Sequence, residues 1–431
     1  MILINSTKPS NTRWKILAAI IFCGFTAYVL RTNLSVVGNF MMQDLGITQI
    51  QMGWMLSAFI WGYTIFQFPG GILAEIIGPK KTVTLSMIGS TLATILAGLL
   101  VFSDISIIYL IGLIMMSRFL IGVSQGPLMP ALGGGVVRRW FPKGSWAFPL
   151  GLSSTGLAIG ASFTPLIITW IIYYTDWQSS FFIISILGIL TAWLWHRYST
   201  DWPNEHPKVN QEELNHIGEP PKISPMKWPQ IKKVAKDKNV LLLGLSYLCM
   251  NYTFYIFFSW IYIYLVNEKG FSLLEGGFFA SLPFLAGALG AGLGGLLCDQ
   301  LQKKYSTSFS HRVPIILGLI PSGIFLILGA LTEDPVVAVI YLSLCFGFIE
   351  MTEGPYWSSI NFVSKKRAQA AGGILNTGGN LGGVISTPLI PILVSKFGWM
   401  IALSSGAVFA LIGTIFFLMI DYSEGSDEPQ I

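Results

Sequence analysis

Charge is scarce in this chain. Only 11% of its 431 residues are Asp, Glu, Lys or Arg, against about 25% in soluble globular chains, so a conventional water-facing surface is excluded. Histidine is scarcer still: there are four, which argues against a soluble-type metalloenzyme. The four cysteines, Cys23, Cys249, Cys298 and Cys345, fall within or at the end of apolar runs, so neither a disulfide framework nor a zinc site is indicated. No G-x-x-x-x-G-K-[ST] loop is present to bind ATP. The run GALGAGLGG at 287–295 mimics a dinucleotide fingerprint, but it lies inside an apolar stretch with no preceding strand, which makes it a helix-packing surface. No cofactor or metal is expected, and without a catalytic His, Cys or Ser constellation neither is an enzyme.

Apolar residues fill the space that charge leaves. Hydrophobic residues make up 53% of the chain and its mean hydropathy is +0.64. Runs of about 20 apolar residues, the length needed to cross about 30 Å of hydrocarbon as a helix, recur along it. The expected spans are 14–37, 53–76, 82–102, 107–136, 145–172, 178–196, 239–266, 272–298, 312–331, 336–361, 369–395 and 399–420. This is an all-α, twelve-span membrane protein in two bundles of six, 1–196 and 239–431. Residues 197–238, polar and carrying Pro203, Pro207, Pro220, Pro221, Pro225 and Pro229, read as a linker. The first apolar run is too long for a cleavable signal peptide and has no small-residue cleavage site.

Lys and Arg accumulate on the cytoplasmic side of membrane proteins. With the N-terminus inside, Lys8, Arg13, Lys15, Lys80, Lys81, Arg138, Arg139, Lys143, Lys303, Lys304, Arg312, Lys365, Lys366, Arg367 and the basic residues of the linker all fall inside. Only Lys269 and Lys396 fall outside, and Arg31 and Arg118 fall within spans. Both termini are therefore expected in the cytoplasm, in a plasma (inner) membrane. The net charge of +5 reports this topology, and no nucleic-acid partner is needed to explain it.

A repeat emerges in the polar punctuation. GGILAEIIGPKK after the second span returns after the eighth as GGLLCDQLQKK, with Gly70, Glu75 and Lys80 matching Gly294, Asp299 and Lys304. Gly156, Gly160 and Pro165 of the fifth span match Gly379, Gly383 and Pro388 of the eleventh. Parallel six-helix repeats are a recurrent transporter architecture, with substrate held near the bilayer midplane.

Several blocks then carry a family resemblance: RTNLSVVGNFMMQDLGITQIQMGWMLSAFIWGYTIFQFPGG, SRFLIGVSQGPLMPA followed by RRWFP, FYIFFSWIYIYLVNEKGFS, SLPFLAGALGAGLGG, EGPYW and NTGGNLGG. In this order, over nearly the whole chain, they resemble the major facilitator superfamily. Within it they resemble the anion:cation symporter family, organic-anion transporters such as hexuronate, galactonate and phthalate permeases and their eukaryotic relatives. The resemblance implies a secondary active transporter of a small organic anion, coupled to a proton or another cation, that works as a monomer in the lipid bilayer.

Arg31 and Arg118 are the most informative single residues. A charged side chain in mid-bilayer costs about 2.5–3.5 kcal/mol on insertion scales, so both are expected to face a wet cavity. A guanidinium fork there suits bidentate recognition of a carboxylate; the alternative is a structural arginine bonded to backbone carbonyls. The resemblance implies that these are the substrate arginines. Tyr28 lies one turn before Arg31, and Gln125 two turns after Arg118. Tyr63, Tyr247, Asn251, Trp357, Asn376 and Asn380 are further candidates for lining the site, with packing or inter-helix hydrogen bonding as the alternative.

Departures from the family pattern bear on mechanism. Many proton-coupled members of the family it resembles have an Asp just before the first arginine and a Glu seven residues after the second; here those positions are Leu30 and Gln125. Carboxylates occur instead at Glu350 and Glu353, and Glu353-Gly-Pro matches Gln125-Gly-Pro in the repeat. Ion coupling is therefore expected to reside at Glu353 or Glu350. The alternative for both is an inter-helix hydrogen bond or an ion pair at the cytoplasmic gate. Glu75 with Lys80 and Lys81, and Asp299 with Lys303 and Lys304, are expected as gating charge clasps at the inner helix ends.

Overall fold

The computed structural model describes residues 8–103, 105–142, 147–218, 234–364 and 368–422. Among them every regular element is helical, as expected where no water is available to satisfy backbone N–H and C=O groups. Lys143, Lys365, Lys366 and Arg367, which entered the orientation argument, and Pro220, Pro221, Pro225 and Pro229 lie outside the described residues.

The first six spans contain α1 (Thr12–Leu45), α2 (Gln49–Ile77), α3 (Pro79–Val101), α4 (Ile107–Gln125), α5 (Ala147–Tyr174) and α6 (Ser179–Tyr198). A short helix, α7 (Gln211–Ile217), follows. Then come α8 (Lys238–Asn267), α9 (Leu273–Gln302), α10 (Thr307–Leu331), α11 (Pro335–Glu350), α12 (Glu353–Val363) and α13 (Ala368–Leu418). Ten helical stretches among the described residues are long and apolar enough to cross a membrane. The last of them leaves helical geometry at Gly398 (φ 78°) and so comprises two spans. Counting it as two, and adding the 29-residue α2, gives the twelve spans read from the apolar runs. Residues such as Ile76, Ile108 and Leu289 are more than 70% exposed, which suits hydrocarbon and would be a liability in water.

Three features differ from the sequence reading. The fourth span is interrupted: α4 ends at Gln125, and the chain passes through Gly126 and Pro127 into a π-helical turn at Pro130–Val137. The tenth span is likewise divided into α11 and α12 around Met351 and Thr352. Pro127 and Pro355 occupy matching places in the repeat, and each lacks the N–H that would pair with the carbonyl one turn earlier. Finally, the stretch read as a linker contains a 3₁₀ turn at Pro203–Glu205 and the helix α7.

The chain forms two compact units. Unit 1 comprises Met1–Asn33, Trp61–Ala161 and Gln178–Ser224. One of its cores gathers Ile16, Ile20, Met87, Leu132, Trp140 and Trp195. Unit 2 comprises Leu34–Ile60, Ser162–Trp177 and Pro225–Ile431. It thus includes the junction of α1 with α2, and there the Ser57 hydroxyl donates to Val384 O at 3.4 Å.

Close backbone approach follows the repeat. In unit 1, α5 packs on α1 through Gly156, where an added Cβ would lie 2.2 Å from Ile21 O, and α2 packs on α4 where Gly70 meets Pro127. In unit 2, α13 meets the α8 backbone at Gly378 and Gly382, where an added Cβ would lie 2.7 Å from Gly244 O and 2.3 Å from Leu248 O, while the repeat-matched Gly379 and Gly383 make room for the rings of Tyr247 and Tyr255. There α9 packs on the divided tenth span through Gly294, where a Cβ would lie 1.8 Å from Met351 O, and Gly290, where it would lie 1.9 Å from Gly347 O. Small residues allow this approach, and dispersion then rewards it in a medium where apolar burial gives no driving force.

Two glycines one half-turn apart on α9 test this reading. Gly290→Ala should destabilise the protein by about 1–3 kcal/mol through overpacking. Gly292→Ala meets nothing within 4 Å and should be neutral or stabilise through better helix propensity. Thermal unfolding in detergent checks the pair: equal melting temperatures would contradict the packing.

Candidate functional site

Unit 1 brings Arg31 of α1 and Arg118 of α4 together. Their side chains are buried, with 5% and 3% exposure, and Arg118 Nη2 donates to Arg31 O at 2.5 Å. Gln125, two turns along α4, donates its amide to Ala27 O at 3.0 Å. Two donors of one helix therefore address two carbonyls a turn apart on the other, which sets the relative register of α1 and α4. Helical carbonyls retain a second lone pair for such bonds. The backbone-carbonyl role weighed for these arginines is thus observed for one arm of Arg118.

Arg31 is flanked by aromatic rings. Its guanidinium lies 4.7 Å from the Tyr28 ring centroid and 5.2 Å from that of Tyr63 on α2, within cation–π range. Gln67, one turn along α2, donates from Nε2 to the Tyr63 hydroxyl at 3.3 Å. Sequence reasoning passed over Gln67, although a polar residue four positions from Tyr63 in an apolar helix was its signal. The like charge of Arg31 acts on Arg118, so unit 1 holds two cationic groups whose mutual repulsion an anion would relieve.

Unit 2 gathers the acidic candidates. Glu353 accepts the Tyr247 hydroxyl on both carboxylate oxygens, at 2.9 and 3.0 Å, and the Trp357 indole N–H at 2.8 Å. Glu350 and Glu353 lie on either side of the break between α11 and α12. Discontinuous membrane helices are recurrent binding elements because their ends present polar groups inside the bilayer. Trp357 is 39% exposed, so this carboxylate cluster is not sealed by its own indole.

The amide candidates make internal bonds. Asn251 Nδ2 donates to Tyr247 O at 3.0 Å. Asn380 donates to Asn376 O at 3.0 Å and accepts from the hydroxyl of Tyr255, also at 3.0 Å. Tyr255 is, from the sequence, a weaker candidate beside Tyr63, Tyr247 and Asn251, since a tyrosine in an apolar helix more often packs than binds a ligand.

Of the gating candidates, Glu75 and Lys81 are exposed and Lys80 is half-buried. They flank the turn at Gly78, whose φ is 87°. The Lys80 backbone N–H donates to Asp201 Oδ1 at 2.8 Å, so Asp201, unremarked in the sequence, caps the start of α3. Glu75 acts electrostatically on Arg139. Asp299, Lys303 and Lys304 are exposed at the end of α9, and Asp299 acts on His311. Among the described residues no group of three or more His, Cys, Asp or Glu side chains could hold a metal ion, and the four cysteines are free and buried.

The family model described as the Major Facilitator Superfamily matches residues 20–363. The chain is 33% identical to the probable galactarate/D-glucarate transporter of Bacillus subtilis (strain 168), over 91% of this chain and 88% of that protein. It is 30% identical to the D-galactonate transporter of Escherichia coli O6:H1, over 97% of each, and 28% identical to the hexuronate transporter of Bacillus subtilis (strain 168), over 95% of each. The crystal structure of a bacterial homologue of the human lysosomal transporter Spinster, inward-facing and unoccupied, shares the fold. Its TM-score is 0.76 at 16% identity, covering 95% of this chain and 97% of that one. With a family match over most of its length, relatives alike from end to end and helices built for hydrocarbon, the chain belongs to the Major Facilitator Superfamily and is a multi-pass membrane transporter, not an enzyme.

Proposed function

We propose that this protein is a secondary active transporter of a small organic carboxylate, working by alternating access. The observation that carries the reading is the contact of Arg118 with the Arg31 backbone, which holds two buried guanidinium groups within one unit. An anion supplies the charge that this pair lacks, and a carboxylate fits the planar fork. The relatives named for galactarate, glucarate, galactonate and hexuronate favour a hydroxylated acid sugar. Tyr28, Tyr63, Tyr247, Asn251, Trp357, Asn376 and Asn380 are the candidate groups for its hydroxyls. The Lys and Arg distribution supports a plasma (inner) membrane location with cytoplasmic termini. The clusters at Glu75–Lys81 and Asp299–Lys304 serve the gates, and the working unit is a monomer.

Coupling to a proton or another cation belongs, in this reading, to Glu353 with Glu350. Tyr247 and Trp357 donate to the Glu353 carboxylate, and protonation would change what these donors meet. A second reading, an uncoupled facilitator or exchanger of organic anions or sugar phosphates, or a transporter-like sensor, draws on Leu30 and on Gln125. The latter makes a fixed hydrogen bond to Ala27 at a place where proton-coupled relatives carry an acid.

Two variants separate substrate binding from coupling. Arg118→Lys keeps the charge and loses the fork; binding of galactonate or galactarate should weaken at least tenfold, about 1.4 kcal/mol, with expression retained. Equal binding would remove Arg118 from the substrate site. Glu353→Gln, measured in reconstituted vesicles at several pH values, should still exchange substrate while accumulation driven by a pH gradient disappears. Undiminished accumulation would remove Glu353 from the coupling step and favour the second reading.

A further inference from the structure

The stretch between the two six-span halves holds an ordered joint that transport by the arginine and carboxylate clusters does not require. Glu213 of α7 is fully buried and caps a helix that begins 200 residues earlier in the chain. Its carboxylate accepts the backbone N–H groups of Thr12 and Arg13 at 2.9 and 3.0 Å, the Ser10 hydroxyl, and Arg13 Nη1 at 3.4 Å. These are the first amides of α1, and an anion there also meets the positive end of the helix dipole. Asn210 caps its own helix through Glu213 N, and the same Oδ1 accepts Ser10 N. Its Nδ2 donates to Lys8 O at 2.9 Å, and the Thr12 hydroxyl donates to Lys208 O at 3.0 Å. Asn11 turns the chain between these contacts at φ 56°, a left-handed conformation that asparagine accepts more readily than other non-glycine residues.

His206 sits beneath this joint, 6% exposed, edge-on to the rings of Trp140 and Tyr198. Its two nitrogens have unlike partners. Nε2 lies 3.1 Å from Tyr198 O, a group that only accepts, so Nε2 carries the hydrogen. Nδ1 accepts the backbone N–H of Lys208 at 3.2 Å and must therefore be bare. A second proton on the ring would point at the Lys208 N–H and break the bond that places the segment leading to Asn210 and Glu213.

We propose that residues 203–217 form a pH-sensitive clasp, closed on the start of α1 while His206 is neutral and released when it is protonated. The charges facing the ring are Lys208 and Lys15, which oppose protonation, and Glu213, which favours it. Lys15 comes from α1, and Lys208 lies over the Tyr198 ring at 5.5 Å. Burial is the leading influence and holds the His206 imidazole below its ordinary value of 6.5. At Glu213 burial pushes the carboxyl up, but donation by Arg13 N–H, the Ser10 hydroxyl and Thr12 N–H, with the Arg13 charge, outweighs it and leaves the group below its ordinary 4.5. Both groups stabilise the closed state above their unclasped values and lose that contribution as pH falls. The histidine window opens first, below about 6.5, and the carboxylate window only below the ordinary 4.5 of Glu213. All of these residues belong to unit 1, and the device acts on α1, the helix that carries Arg31. It is independent of the identity of the substrate.

Hydrogen–deuterium exchange of the full chain in detergent, corrected for intrinsic rates, tests the clasp. Between pH 7.5 and pH 5.0, protection of peptides covering 8–16 and 203–217 should fall together by at least threefold, while peptides of α3 stay unchanged. His206→Gln, which cannot take up the proton, should show no such fall, its fold checked by its melting temperature. An unchanged parent, or an equal fall in a folded His206→Gln, overturns the proposal. The pH midpoint in the parent decides independently of the variant: a midpoint between 5 and 6.5 supports His206, and one near or below 4.5 assigns the transition to Glu213 and overturns it.

Discussion

Two buried positive charges in contact through a backbone carbonyl impose the central constraint on this protein. A guanidinium in hydrocarbon has few ways to be satisfied, and here the main chain of α1 supplies one of them. Arg118 and Gln125 both donate to α1, which fixes how α4 lies against it. Tyr28 and Tyr63 offer the faces of their rings to Arg31, and Gln67 holds Tyr63 in turn. The arginines are thus held by the protein itself, so the anion proposed above would have less ordering to bring about on binding.

The second unit shows the same construction with the opposite charge. Gln125 precedes a Gly-Pro pair where one span is interrupted, and Glu353 precedes the matching pair where its repeat partner is interrupted. At one position the side chain is an amide that permanently donates; at the other it is a carboxylate that accepts from Tyr247 and Trp357. A common backbone scheme has therefore been given two chemistries, one fixed and one able to change its protonation.

Much of this architecture was legible in the chain, because a run of about 20 apolar residues has few alternatives to a membrane helix, and an arginine inside one is an anomaly with a chemical meaning. The repeat was legible for a similar reason: Gly70, Gly156 and Gly294 are required where backbones meet, and Gly379 where the Tyr247 ring lies against the helix. What could not be read depends on the distance between helices and on their rotation. Nothing local says that Arg118 reaches the carbonyl of Arg31, or that Tyr255 finds Asn380. The stretch at 197–238 read as a polar connector because the partners of Glu213 are Ser10, Thr12 and Arg13, far away in sequence. Pro127 and Pro355 were visible, yet a proline can bend a helix or interrupt it, and only the surrounding packing decides which.

The contact of α9 with α11 has a mechanical meaning. At Gly290 and Gly294 the two helices meet backbone to backbone, with no side chain between them to change rotamer. Such a seam cannot shear by small steps, because sliding either helix drives a carbonyl into a neighbouring main chain. Whatever displacement moves α11 must therefore carry α9 with it, as the teeth of one gear turn with its hub.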